Sequence, residues 1–227
     1  MTTDAGFVPR HAVVSWSGGK DSAMALWRAR QMGWGIDALL TTVGEAYGRV
    51  SIHGVRVELL ERQAAALGLP VRQVALPTPC TNLEYEARMG TAVRELLAAG
   101  TDAFVFGDLF LEDIRAYREA QLATVGARAL FPVWGADTVR FARDVIDAGF
   151  RGRVASLDPR RVDRALAGAA YDRALLQRLA PDVDPCGENG EFHTFVWDGP
   201  VFATPVPVTV GAVVERDGFV YADLLPG

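Results

Sequence analysis

The sequence predicts an α/β protein, in which a doubly wound parallel sheet is followed by a smaller C-terminal α+β portion. Two observations lead to this fold class. Short apolar runs alternate with helical patterns from about residue 8 to residue 135, as strand–helix–strand units with right-handed crossovers require. After Gly135 this alternation stops. Half of the 227 residues are hydrophobic, so the chain can bury a sizeable core.

The first part of the chain contains five predicted strands and four predicted helices. The run Ala12–Val14 predicts a short buried strand, and residues 23–30 predict a helix that ends near Gly33. Further strands are predicted at residues 35–43, 71–76, 103–109 and 129–134, with a loop at 44–51. Further helices are predicted at residues 56–67, 83–99 and 112–125.

The remaining third of the chain mixes helices and strands without the earlier rhythm. Helices are predicted at residues 137–148 and 160–179, the second interrupted by Gly168, and a loop at residues 181–191. Strands are predicted at residues 150–157, 192–197, 208–214 and 219–224, the last two joined by the hairpin signal Asp217-Gly218. We therefore expect two domains, 1–135 and 136–227, with the second packed over the sheet edge of the first.

The segment Ser15–Ser22, with the sequence SWSGGKDS, joins the first strand to the first helix. Gly18 and Gly19 allow positive φ angles and keep side chains away from a ligand. The first N–H groups of a helix lack partners and favour an anion, and Lys20 adds a positive charge. The pattern is not the Walker loop, because Val14 stands where that motif has glycine. The segment predicts a phosphate site; the alternative is a solvated turn that caps a helix.

A second polar cluster, Pro185–Thr194, lies in the predicted loop before the strand at 192–197. Within ten residues it has two carboxylates, an amide, an imidazole, a thiol and a hydroxyl. Such a loop can bind Mg²⁺, position a substrate amide or carboxylate, or transfer protons. The alternative is an ordinary polar turn that enters a strand.

Both segments resemble those of a known family. Ser17–Ser22 resembles the signature of the PP-loop ATP pyrophosphatases. Glu188–Phe195 with Asp198–Pro200 resembles the C-terminal signature of the diphthine–ammonia ligase branch, also called the ATP-binding diphthamide synthase domain. Shorter stretches at 51–55, 107–108 and 131–134 also fit, so the resemblance extends from about residue 13 to residue 200. Glu112–Glu119 departs from the diphthamide enzymes and is closer to bacterial relatives, which lack diphthamide.

The resemblance implies an adenine nucleotide alpha hydrolase-like (HUP, Rossmann-like) fold, with ATP bound in domain 1–135 and substrate in domain 136–227. It implies a ligase that adenylates a carboxylate and amidates it with ammonia, releasing AMP and pyrophosphate, with ATP and Mg²⁺ as cofactors. The residues expected to be catalytic are Lys20, Asp108, Glu188, Glu191 and His193. Those expected to hold ATP are Ser15, Ser17, Gly18, Gly19, Lys20, Asp21, Ser22, Thr41, His53 and Gly107, with Asp21 also the metal ligand.

Several of these residues can equally have ordinary structural roles. Asp21 either holds the metal or favours the first turn of the helix. Asp108 follows a strand at the sheet edge where α/β proteins bind ligands. His53 and His193 either contact phosphate or acceptor or make structural hydrogen bonds.

Two arginines and two cysteines lie outside these expected sets. Arg115 and Arg118, three residues apart on a helix, either clamp an anion or form a solvated face. Cys80 and Cys186 are expected to be packing residues, because no paired spacing makes a zinc site with His193.

The composition limits the partners and the location. A net charge of −5 and a pI near 5.3 argue against nucleic acid. No membrane-spanning run or signal peptide is found, and two cysteines far apart favour a cytoplasmic protein. The expected partners are ATP, a carboxylate-bearing small molecule or protein and ammonia, with a homodimer possible. The alternatives are a non-catalytic ATP- or AMP-binding module and an RNA-modifying PP-loop enzyme. The latter is disfavoured by the missing cysteine pairs and basic face.

Overall fold

The computed structural model describes residues 8–51 and 53–227, and it contains two sheets. The elements of the first part are β1 (Ala12–Ser15), α1 (Lys20–Gln31), β2 (Ile36–Gly44), β3 (Arg49–Val50), α2 (Val57–Leu67), β4 (Val71–Leu76), α3 (Asn82–Ala98), β5 (Ala103–Val105), α4 (Glu112–Ala123) and β6 (Arg128–Leu130). Those of the second part are α5 (Thr138–Asp147), β7 (Arg151–Leu157), a 3-10 turn (Arg164–Leu166), α6 (Arg173–Arg178), β8 (Phe192–Asp198), β9 (Val208–Arg216) and β10 (Phe219–Pro226).

The first sheet is parallel and doubly wound, as the sequence predicts. Its parallel strands lie in the order β4-β2-β1-β5-β6, and the two-residue β3 pairs antiparallel with the end of β2. Val13 of β1 lies opposite Ala38 of β2 on one side and Phe104 of β5 on the other. The strand order reverses at β1, and open α/β sheets bind ligands in the crevice at such a point, outside the carboxyl ends of the strands.

The second sheet is antiparallel, in the order β8-β7-β10-β9. Its hairpin β9–β10 turns at Asp217 and Gly218, whose φ angles are +52° and +79°. Positive φ at both central residues is typical of a type I′ turn, so the Asp-Gly hairpin prediction is confirmed.

The second sheet packs directly on the loop that follows β1. The N–H of Val196 in β8 donates to the carbonyl of Gly18 at 2.8 Å, and the N–H of Ala203 donates to the carbonyl of Ala66 at 2.8 Å. Apolar residues of both parts, among them Trp16 and Phe195, belong to one continuous core. The C-terminal portion is therefore placed to complete a site at this loop.

The prediction of a long helix at residues 160–179 is wrong. The structure has only the 3-10 turn and α6 there, since Asp163 and Asp172 accept hydrogen bonds from nearby N–H groups and begin new short elements. Between these elements the backbone bonds to β7: the N–H of Val154 donates to the carbonyl of Ala169 at 2.9 Å, and the N–H of Tyr171 donates to the carbonyl of Gly152 at 2.8 Å.

Two strands of the first sheet end earlier than predicted. β5 ends at Val105 and β6 at Leu130, so residues 106–111 and 131–136 are free to form loops at the carboxyl edge of the sheet. Phe131–Trp134 forms a turn, in which the N–H of Trp134 donates to the carbonyl of Phe131 at 3.2 Å.

Candidate functional site

The loop between β1 and α1 has a backbone shape that requires glycine. Gly18 has a φ of +81°, and a Cβ there would lie 2.8 Å from Oε1 of Gln63. The buried Gln63 of α2 holds this shape: its Nε2 donates to the Gly18 carbonyl at 3.0 Å, and its Oε1 accepts from Trp16 Nε1 at 3.0 Å. Sequence reasoning missed Gln63, although an amide on the apolar face of a predicted helix is a recognisable signal of a buried polar contact.

The hydroxyl groups of the loop are partly engaged within it. The Oγ atoms of Ser17 and Ser22 are 3.2 Å apart, and Ser22 Oγ donates to the Gly19 carbonyl at 3.0 Å. The N–H of Lys20 donates to Oγ1 of Thr194 at 3.0 Å, so the second polar cluster contacts the first turn of α1.

A cleft of about 670 Å³ opens at the carboxyl ends of β1, β2 and β4. This volume lies within the range of small-molecule and cofactor sites. Among the residues predicted to hold ATP, four line the cleft: Ser15, Ser17, Thr41 and His53. The opposite wall and the rim include Tyr47, Arg118, Arg216 and Tyr221.

Two histidines meet beside the loop and are neutral at neutral pH. Nδ1 of His53 donates to the carbonyl of Thr194 at 3.1 Å, and the rings of His53 and His193 lie 4.7 Å apart. Burial lowers the pKa of His53 to about 4 and holds the pKa of His193 well below its usual value. Both rings can therefore make hydrogen bonds to a ligand but carry no permanent charge near pH 7.

The ammonium group of Lys20 is buried between the loop and Cys186, and Lys20 is not among the residues that line the cleft. The side chain is 2% exposed; Nζ donates to Oδ2 of Asp21 at 3.0 Å and to the carbonyl of Cys186. The rings of Tyr171 and Phe192 lie 5.6 Å and 5.5 Å from Nζ. Burial alone would lower the pKa of Lys20, but the Asp21 carboxylate raises it above its ordinary value, so the lysine stays charged.

Glu188 lies on the same side of the loop as Lys20. Its Oε1 accepts from the N–H of Leu109 at 2.7 Å. Burial, aided by the charges of Asp21 and Asp108, raises the pKa of Glu188 to about 7. A carboxyl group that titrates near neutral pH is suited to give and take protons.

The exit of β5 brings Gly107 and Asp108 against the start of α1. A Cβ on Gly107 would lie 2.7 Å from the carbonyl carbon of Asp21, so only glycine permits this approach. The Asp108 carboxylate pairs with Nε of Arg118 at 3.0 Å, and the Arg118 guanidinium lies 4.4 Å from the ring centre of Phe106. Arg118 therefore faces the site, while Arg115 pairs with Glu119 at 2.7 Å on its own helix.

Glu191 and the two cysteines have local roles. Glu191 is 1% exposed and accepts from the N–H groups of Asp184 and Asn189 at 3.2 Å and 3.0 Å, which fixes the shape of its loop. The Cys186 thiol donates to the carbonyl of Thr138 at 3.2 Å, and burial raises its pKa. Cys80 is exposed, and its thiol contacts only the carbonyl of the next residue, at 3.5 Å.

The residues fit a magnesium ion that is held mainly by a nucleotide. In the described part of the chain, no three metal-ligating side chains come together. However, Oδ1 of Asp21 is buried and has no hydrogen-bond partner, while Oδ2 is occupied by Lys20. Because Mg²⁺ needs only one or two carboxylates beside substrate phosphates, Asp21 is a suitable ligand.

None of the helices in residues 8–51 and 53–227 is long and apolar enough to cross a membrane.

Comparisons with known proteins match both parts of the chain. Residues 10–129 match the diphthamide synthase N-terminal domain, and residues 137–219 match the diphthamide synthase C-terminal domain. A diphthine–ammonia ligase of Schizosaccharomyces pombe is 29% identical over 96 residues, which is 40% of this chain and only 16% of that protein. A solved structure, a predicted subunit of tRNA methyltransferase from Methanocaldococcus jannaschii, aligns with a TM-score of 0.41 and 17% identity over 64% of this chain and 78% of that one. The two domain matches show that the chain belongs to the diphthamide synthase family.

Proposed function

We propose that this protein is an ATP-dependent, AMP-forming ligase that joins ammonia to a carboxylate. The observation that carries the proposal is the loop Ser15–Ser22, whose glycine-dependent backbone lies against a cleft at the switch point of a doubly wound sheet. Membership of the diphthamide synthase family supports this proposal.

In this proposal the pyrophosphate end of ATP lies on the loop. Ser15 and Ser17 line the cleft from the first strand, and Thr41 lines it from the second, where the adenosine half would extend. Lys20 acts from behind the loop: its buried ammonium donates to Asp21 and to the carbonyl of Cys186, and so holds the start of α1 against the C-terminal loop. A Mg²⁺ ion held by Asp21 and the phosphates would neutralise charge on the leaving pyrophosphate.

The reaction has two steps: pyrophosphate leaves in the first, and AMP leaves in the second. An acceptor carboxylate oxygen attacks the α-phosphorus, and the bond to pyrophosphate breaks, giving an acyl-adenylate. Ammonia then attacks the acyl carbon, and the bond to AMP breaks, leaving an amide. In this proposal Glu188 takes the proton that the nitrogen loses, since a pKa near 7 allows the carboxyl to be ionised when ammonia arrives and protonated afterwards.

Oxygen-18 in the acceptor carboxylate tests this mechanism. The protein is incubated with ATP, Mg²⁺, ammonium and a panel of labelled carboxylic acids, and the products are identified by mass spectrometry. The proposal predicts AMP and pyrophosphate, with one labelled oxygen in AMP. Acceptor-dependent release of ADP and phosphate would overturn it.

A second candidate function is a module that binds ATP or AMP without turnover. The burial of Lys20 favours it, since the ammonium is engaged with the Asp21 carboxylate and the carbonyl of Cys186. The same incubation separates the two functions: the module binds ATP but releases neither AMP nor pyrophosphate with any acid of the panel.

A further inference from the structure

A second cavity, of about 200 Å³, lies beside the cleft and between α3 and α4. The two helices cover the sheet incompletely here: α3 buries only Ala92 and Val93, and α4 buries only Leu122. Tyr117 of α4 bridges to Glu86 of α3 at 3.4 Å across the gap. The lining is mostly apolar and aromatic, and it includes Leu40, Tyr85, Met89, Val93, Phe104, Phe106, Leu122 and Val125. We call this space the α3–α4 groove.

The α3–α4 groove joins the cleft. Both spaces are lined by Ser15, Leu40, Tyr85, Met89 and Arg118. Ser15 is the last residue of β1 and the start of the phosphate loop. A molecule in the groove would therefore have one end at the loop, next to the place proposed for the reacting phosphate.

Arg118 places a guanidinium at this junction. Its side chain is 28% exposed and pairs with Asp108 through Nε at 3.0 Å and Nη2 at 3.4 Å. A guanidinium has five N–H donors, so the pair with Asp108 leaves donors for a second carboxylate. Stacking on Phe106 at 4.4 Å fixes the plane of the group. The other charged side chains in the lining, Glu86 and Arg94, are exposed on α3.

The size of the groove limits the occupant. An apolar cavity of about 150 Å³ can hold benzene. A groove of about 200 Å³ therefore has room for a phenyl-sized group. The apolar part of its lining, with Met89, Val93 and Phe104, suits a hydrocarbon group.

We propose that the α3–α4 groove binds the apolar, phenyl-sized tail of a monocarboxylic acid whose carboxylate pairs with Arg118. This inference rests on the proposed function, because it assigns that acid as the acceptor. The acceptor would then be a small arylalkanoic acid, or another acid with a tail of similar size, and its carboxylate would lie beside Ser15.

Binding of 3-phenylpropionate tests the groove without turnover. Calorimetry compares it with propionate, which lacks the ring, and with 3-phenylpropanamide, which lacks the charge. Propionate should bind about ten- to a hundredfold more weakly than 3-phenylpropionate, because it has no phenyl ring to bury. 3-Phenylpropanamide should also bind about ten- to a hundredfold more weakly, because it has no carboxylate to pair with Arg118.

A substitution at Gly90 locates the binding. Gly90 lies inside α3, lines the groove and has no positive φ, and a Cβ there meets only the flexible end of Arg94 at 3.2 Å. Gly90→Leu should fill the groove, abolish 3-phenylpropionate binding and preserve the fold and ATP affinity, with Gly90→Ala giving a smaller loss. Glycine is a poor helix former, so neither change should destabilise α3.

Three results would overturn the inference: no binding of 3-phenylpropionate at millimolar concentration, equal binding by Gly90→Leu, or displacement of 3-phenylpropionate by adenosine. The outcomes are separable from those of the proposed function. If an acid binds in the α3–α4 groove but no AMP is released, only the proposed ligase activity is contradicted. If AMP is released and Gly90→Leu accepts the same acids, only the proposed binding in the groove is contradicted.

Discussion

The two sides of the loop Ser15–Ser22 differ in charge and in exposure. The side towards the cleft presents hydroxyl groups and the neutral ring of His53. The other side holds the charged groups: Lys20, which is almost fully buried, and Asp21 and Glu188, which are partly exposed. The neutral groups on the cleft side are open to a ligand, while the Lys20 ammonium on the other side is fully engaged with Asp21 and the carbonyl of Cys186 and stabilises the loop.

This division separates the effects expected from substitution. Charges are costly to bury and are stable only when paired, so breaking the ion pair between Lys20 and Asp21 should act mainly on folding. Neutral hydrogen bonds in an open cleft each contribute little, so changes on that side should act mainly on ligand affinity.

The largest effect is expected for Lys20→Ala. It leaves the Asp21 carboxylate partly buried without its cation, and we expect a loss of about 3 kcal/mol in the free energy of unfolding, measured with urea. The control is the double variant Lys20→Met with Asp21→Asn, which removes both charges and should regain most of that loss. Unchanged stability of Lys20→Ala would contradict the buried pair.

The burial of Lys20 can also be measured without substitution. Lys20 is the only lysine in the chain, so an amine-reactive reagent followed by mass spectrometry reports its exposure directly. We expect no labelling at Lys20 in the folded protein and full labelling in urea. Rapid labelling of the folded protein would place the ammonium in the cleft instead.

A change at Glu188 should affect turnover and the pH dependence of stability. Glu188→Gln removes the proposed base, and we expect turnover to fall by about a hundredfold. The groups that face Glu188 are Lys20, Asp21 and Asp108.

The raised pKa also fixes the sign of the stability effect. The folded state holds a proton on Glu188 that the unfolded state releases between pH 4.5 and about 7, so this carboxyl should lower stability as the pH rises through that range. Urea unfolding at pH 5 and pH 8 checks it: Glu188→Gln should equal the wild type at pH 5 and exceed it at pH 8. A difference of equal size at both values would contradict the shift.

The buried His53 predicts an effect of the opposite sign. The pKa of His53 falls from 6.5 in the unfolded chain to about 4 in the folded protein, so the unfolded state binds the extra proton between these values. This contribution to stability should therefore decrease as the pH falls from about 6.5 towards 4. His53→Gln should reduce the slope of thermal unfolding temperature against pH in this range, and an unchanged slope would argue that His53 is solvated.

The smallest effect is expected on the cleft side. Ser17→Ala removes one neutral hydrogen-bonding group, worth about 0.5–1.5 kcal/mol, so ATP affinity should fall by roughly two- to tenfold. The free energy of unfolding should fall by no more than about 1 kcal/mol, because the Ser17 hydroxyl makes only two long contacts within the loop, with Ser22 Oγ and the N–H of Gly19. A loss of stability without a loss of affinity would show that the Ser17 hydroxyl serves the loop rather than the ligand.

The sequence was informative where local patterns decide the structure. The alternating strands and helices and the Asp217-Gly218 hairpin were both accessible from short stretches. The two segments that meet at the candidate site were recognisable in the sequence, and the contact of Lys20 with Thr194 brings them together. The binding of phosphate there stays a prediction.

Contacts between distant segments were not predictable. The Lys20 ammonium is held by the carbonyl of Cys186, which is 166 residues away in the chain. The Gln63 amide donates to the carbonyl of Val196 in β8, which is 133 residues away. Glu191 looks like a reactive carboxylate in sequence, but it binds N–H groups of its own loop. The helix predicted at residues 160–179 fails because its backbone bonds to β7, a tertiary contact that outweighs local propensity.

The most direct test of the phosphate site is a calorimetric titration of the wild-type protein with ATP and Mg²⁺, repeated in the presence of pyrophosphate. If the loop Ser15–Ser22 binds the pyrophosphate end of ATP, one ATP should bind per chain, pyrophosphate should compete fully, and adenosine should bind much more weakly. ATP binding that pyrophosphate does not weaken, or no ATP binding at all, would contradict this central claim.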